Sequence, residues 1–121
     1  MQQFINDEKF ELEEYIEDKL TDMIHIEIIE ITFTNVMAFI DFRTSPVNNI
    51  PYYSYKIYIW KRKDLYYIKY QEDTLIIFIE NHHPMVKRVD SNEIVYEIED
   101  YDDVFLVLED IFDTLRPKDE Y

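Results

Sequence analysis

The chain has 121 residues, no cysteine, no glycine, and 27 acidic against 12 basic side chains, for a formal net charge of −15. That length suits one domain, the lack of cysteine removes disulfides, thiolate nucleophiles and cysteine metal knuckles, and no apolar run approaches the ~20 residues that cross a bilayer. Phosphate-cradling loops, dinucleotide fingerprints and hydrolase nucleophile elbows need glycine where the backbone turns tightly or meets a ligand, so none of them is present here.

Hydrophobic residues make up 47% of the chain and aromatics 17%, enough apolar surface to offset the entropy of folding. Residues 7–23 place Leu12, Ile16, Leu20 and Met23 on one stripe of a helix, with Asn6 or Asp7 as the expected cap. From His25 to Thr34 β-branched residues dominate, and the apolar phase switches between Ile28 and Ile29, which predicts a strand with a bulge or two buried faces. Val36 to Arg43 is its expected partner. Tyr53, Tyr55, Ile57 and Ile59 alternate with more polar neighbours, and Lys61-Arg62-Lys63-Asp64 then turns into a strand from Leu65 to Tyr70. Thr74 to Ile79 reads as a further strand, with two shorter ones at Met85–Val89 and Glu93–Glu99. Without glycine, turns fall to Asn, Asp and Pro, at Asn35, Pro46 to Pro51, Gln71-Glu72-Asp73, Asn81 to Pro84 and Asp90-Ser91-Asn92. The final element, about Asp102 to Leu115, gathers Val104, Phe105, Leu108, Ile111, Phe112 and Leu115 on one side of a helix and stops before Pro117. The expected architecture is one α+β domain over residues 1–121: a mostly antiparallel sheet of five to seven strands flanked by an N-terminal and a C-terminal amphipathic helix.

Charge is unevenly placed. Residues 1–30 hold ten acids and two bases, residues 31–92 six acids and eight bases, and residues 93–121 eleven acids and two bases. On the first helix Asp7, Glu11, Glu14, Asp18 and Asp22 form a stripe roughly opposite the apolar one, with neighbours about 5–6 Å apart, close to the spacing of phosphates along a nucleic-acid strand. On the second, Asp102, Asp103, Glu109, Asp110 and Asp113 form a similar face that includes Leu106. Like charges at i, i+4 weaken an isolated helix, so the pattern points to a role outside helix stability, although a merely solvated, solubilising surface would look the same. Nucleic acid itself is a poor partner for so acidic a molecule, because phosphate binding needs surplus cations. Lys56, Lys61, Arg62, Lys63 and Lys69, interleaved with Tyr55, Tyr58, Trp60, Tyr66, Tyr67 and Tyr70, are the local counter-argument. They also suit a protected strand edge or an interface with the acidic helices of a second copy.

Catalytic patterns are sparse. His82-His83-Pro84 is the one conspicuous histidine pair, but adjacent residues of an extended segment point to opposite sides, which is poor geometry for one metal. His25 reads as a cap or surface residue, and Ser45, Ser54 and Ser91 lack an activating context. No catalytic, cofactor or metal residue is assigned. The expected role is non-enzymatic: Asp7, Glu11, Glu14, Asp18, Asp22, Asp102, Asp103, Leu106, Glu109, Asp110 and Asp113 bind a basic protein, a nuclease or nucleic-acid-binding protein. The start, Met1-Gln2-Gln3-Phe4, does not read as a signal peptide, and the cytoplasm is the expected setting. In size, acidity and lack of active-site motifs the chain resembles phage-encoded anti-defence proteins, including anti-CRISPR and DNA-mimic inhibitors, and bacterial immunity proteins that neutralise nuclease toxins; for a phage protein, the setting is the host cytoplasm. Two alternatives remain open at this point: a self-associating scaffold subunit that uses its Tyr-rich sheet, and a small metal-dependent hydrolase or nuclease.

Overall fold

The computed structural model describes residues 2–44 and 51–115. In chain order these form α1 (Asn6–Thr21), β1 (Ile26–Phe33), β2 (Met37–Thr44), β3 (Tyr52–Arg62), β4 (Leu65–Glu80), β5 (His83–Ile98) and α2 (Tyr101–Leu115). The strands make one antiparallel meander in the order β1-β2-β3-β4-β5, and both helices cover the same face of it. The α+β architecture expected from the sequence is the one observed.

Alternation places the core. Ala38, Ile40 and Phe42 on β2, Tyr55, Ile57 and Ile59 on β3, and Tyr66, Ile68 and Tyr70 on β4 point to the helices and are buried. They meet Leu12, Ile16 and Leu20 of α1 and Val104, Leu108, Ile111, Phe112 and Leu115 of α2; Phe112 stacks on Phe42 at 6.4 Å. Each buried Val, Leu, Ile or Phe among them contributes roughly 1.5–3 kcal/mol by leaving water. The N-terminal strap closes the other end. The Gln2 N–H donates to the Lys61 carbonyl at 2.9 Å, the Phe4 N–H to the Asn35 carbonyl at 2.7 Å, and Phe4 is buried.

Several local expectations need correction. The α1 cap position is Ile5 rather than Asn6 or Asp7, and Glu8 supplies the capping oxygen, accepting from the Ile5 N–H at 3.4 Å. Gln71-Glu72-Asp73 is not a turn but the middle of β4, and Asp90-Ser91-Asn92 likewise lies within β5. The cause is mutual pairing: each stretch supplies the backbone partners the other lacks, with Glu72 opposite Asn92 and Asp73 opposite Ser91. The two pairs of short strands are therefore two strands of 16 residues each. A turn does occur within Asn81 to Pro84, and Asn35 sits in the β1–β2 turn; most of the Pro46–Pro51 candidate lies outside the described residues. The irregularity read between Ile28 and Ile29 is real, since pairing with β2 shifts between Ile28 and Glu30. A second shift was not foreseen: Thr74 faces Asp90 while Leu75 faces Arg88, which leaves Val89 as the extra residue.

The missing glycine leaves a visible mark. Among the described residues, five non-glycine positions take positive φ: His25 at 60°, Lys63 at 52°, Asp64 at 63°, Asn81 at 50° and His82 at 68°. Lys63-Asp64 and Asn81-His82 are two-residue hairpin loops, closed by Arg62 opposite Leu65 and Glu80 opposite His83. Both are of the kind that takes left-handed residues at both central positions, a twist that matches that of the strands. The first is clamped from outside, with Gln2 Nε2 donating to Asp64 Oδ1 and the Asp64 N–H donating to Gln2 Oε1, both at 2.7 Å.

Candidate interaction surface

The two acidic helix faces lie beside each other. Tyr15 of α1 packs edge-on against Phe105 of α2 at 5.3 Å, and the Tyr101 hydroxyl donates to Glu11 Oε2 at 3.1 Å. Charges from both helices converge on these phenols. Burial, then Glu109 and Asp113, push the Tyr15 hydroxyl up to about 12. Tyr101 is raised by burial, then by its hydrogen bond to Glu11 and the charges of Glu11, Glu8 and Asp102. Glu11, Asp102, Glu109 and Asp113 therefore border one seam between the helices.

Asp7, Glu14, Asp18 and Asp22 continue the α1 stripe and are exposed. At 100° per residue Leu106 occupies the outermost line of α2, with Asp102, Glu109 and Asp113 on the seam side and Asp103 and Asp110 on the other. Those last two are exposed but are not drawn into the seam; Leu106 itself is 59% exposed. Among the described lysines and arginines the ion pairs are Arg43 with Glu27, Lys61 with Glu8 and Lys69 with Glu93, so none of them neutralises these stripes. Acids in the first turns, Asp7, Asp102 and Asp103, complement the helix dipole; Asp110 and Asp113 near the end of α2 oppose it, and no base offsets them in its last turn.

The Lys/Tyr cluster seen in the sequence does not form one patch. Alternation sends Tyr55, Lys61, Tyr66 and Tyr70 to the buried face and Lys56, Tyr58, Trp60, Tyr67 and Lys69 to the uncovered one. There Phe39 lies 4.7 Å from Tyr58, Trp60 stacks with Tyr67 at 5.4 Å, and Lys69 Nζ sits 5.4 Å above Tyr58. By register Asp41 and Glu93 flank Lys56 and Gln71 across this face, so its cations are interspersed with acids. His82 belongs to the hairpin loop and His83 opens β5; no group of three metal-ligating side chains occurs among the described residues.

Sequence reading missed one polar site altogether. Glu8 is buried and accepts from Lys61 Nζ at 3.4 Å and from the Tyr66 hydroxyl, while the Tyr101 hydroxyl, whose one proton is shared with Glu11, also reaches its backbone carbonyl at 3.4 Å. Lys61, grouped by sequence with a turn, is a buried β3 residue whose ammonium also lies 5.0 Å from the Tyr66 ring. The available signal was spacing, because Glu8 stands four before Leu12 and so on the apolar stripe. Every polar member has a partner, which fits a structural tie between α1, β3, β4 and α2. Comparison with protein-family models, curated proteins and solved structures returned no match. No described helix is long and apolar enough to cross a membrane.

Proposed function

We propose that this protein is a non-enzymatic inhibitor whose joined acidic helix faces occupy the basic groove of a nuclease or other nucleic-acid-binding protein. The observation that carries this reading is that acids of α1 and α2 meet at one exposed seam and are left unpaired by the molecule's own described lysines and arginines. Such a surface speeds encounter with a cationic groove and sets orientation. Leu106 and the seam aromatics Tyr101 and Phe105 supply apolar anchoring within the charged field. The occupied groove is then closed to DNA or RNA. A cytoplasmic setting suits the lack of cysteine.

The test is capture from a cell extract at low and high salt, followed by identification of what binds and competition with duplex DNA. The expected partner is basic, is released by salt and is displaced by DNA. Reversing Asp7, Glu11, Glu14 and Asp18 to Lys should abolish capture; unchanged affinity after that reversal ends the proposal.

A further inference from the structure

We infer that β5 is a self-complementary edge through which two copies join their sheets antiparallel. Strand order leaves β5 outermost, and 15 of its 16 residues are exposed or partly exposed, Ile98 alone being buried. Among the described residues no further strand pairs with its outer row of N–H and C=O groups, although the Ser91 N–H is taken up locally by Asp90 Oδ1 at 2.9 Å. Pairing of β3 with β4 ends at Tyr52 opposite Leu75; beyond it, Ile76–Glu80 and His83–Lys87 pair with each other as a two-stranded arm. Five residues at ~3.4 Å each make this arm about 17 Å long, and an isolated two-stranded ribbon is marginal in water. It nonetheless carries Ile77, Phe78, Ile79, Met85 and Val86 exposed, Ile79 at 76%.

The strand's own charge selects the occupant. From His83 to Val89 it carries Lys87 and Arg88 and no acid; from Asp90 to Ile98 it carries Asp90, Glu93 and Glu97 and no base. An antiparallel second copy sets the basic half against the acidic half, and a two-fold axis makes that contact twice. A parallel copy would set like against like. The extra residue Val89 shifts the facing by one between the halves, so equivalent faces match when Val86 lies opposite Val95 and Arg88 opposite Glu93, which its own Lys69 already meets at 3.6 Å from the other side. On the helix-covered side the same register sets Met85 opposite Tyr96. Each arm then gains the partner's Ile94–Ile98 segment as a third strand. An axis perpendicular to the sheet leaves both pairs of acidic helices on one side, so the pairing leaves the proposed inhibitory face free.

Sedimentation of the full chain from low to high micromolar concentration tests this. A dimer is expected, weakened about tenfold or more by Arg88→Glu or Glu93→Arg alone, because each reversal acts twice, and recovered in the double reversal. Circular dichroism checks that the variants fold. On the unaltered protein, amide exchange within residues 85–97 should slow as concentration rises, which keeps the question answerable if a variant unfolds. Three results would overturn the inference: monomer throughout, a dimer indifferent to both reversals or not recovered in the double variant, or concentration-dependent protection on the helices in place of β5.

Discussion

Glu8 is held from three sides, by the Ile5 N–H, the Lys61 ammonium and the Tyr66 hydroxyl, in a place closed to water. Lys61→Met alone leaves that carboxylate without its counter-charge and should cost roughly 3–5 kcal/mol, whereas Glu8→Leu with Lys61→Met should be far milder, since a buried pair adds little net stability. Urea unfolding of both single variants and the double closes the cycle; equal losses in single and double would refute the coupling. The sequence displays half of this site, in a carboxylate breaking an apolar stripe, but nothing local to Glu8 indicates a partner 53 positions on. Tyr15 is a second pressure point. Its hydroxyl is buried and finds no partner among the described residues. Tyr15→Phe removes an unsatisfied polar atom and should leave stability unchanged or raise it by about 1 kcal/mol, read by thermal melting. A clear loss would reveal a bond to that oxygen.

At the level of elements, α2 opposes its own dipole near its C-terminal end. Asp113→Lys should stabilise the helix by about 0.3–1 kcal/mol while weakening capture of a basic partner. Calorimetry and binding on the one variant therefore move in opposite directions; a protein both more stable and equally well bound would remove Asp113 from the surface. Strands and helices were legible wherever periodicity was clean, as in α1, β3 and the Ile28–Ile29 phase switch. The two misread turns share a cause. Gln71-Glu72-Asp73 and Asp90-Ser91-Asn92 have the composition of turns, yet each faces the other across a ladder, and local composition carries no record of cross-strand partners. The Lys/Tyr cluster failed differently: it is contiguous in sequence, and alternation divided it between two faces of one sheet.

For the molecule as a whole, net charge and tyrosine burial set the response to solution conditions. Added salt screens the repulsion of an acidic surface within about 10 Å at 0.1 M. The melting temperature should rise with sodium chloride over the range in which capture of a basic partner falls; a falling melting temperature would mean that attractive pairs dominate. In alkali the direction reverses. The folded state holds the phenols of Tyr15, Tyr55, Tyr70 and Tyr101 above their ordinary value of 10.0, chiefly by burial. A raised folded value means that the unfolded chain releases these protons first, so their contribution is intact below pH 10 and is lost as pH climbs from there through about 12. Melting against pH, with phenolate absorbance followed in parallel, should show ionisation and unfolding together. The placing of α2 after all five strands has a further consequence for biosynthesis. At roughly 5–20 residues per second the meander and α1 leave the ribosome before the helix that roofs Phe42 and its neighbours, so each nascent chain passes through an interval with that half of the sheet's greasy face uncovered, when chaperone capture matters most.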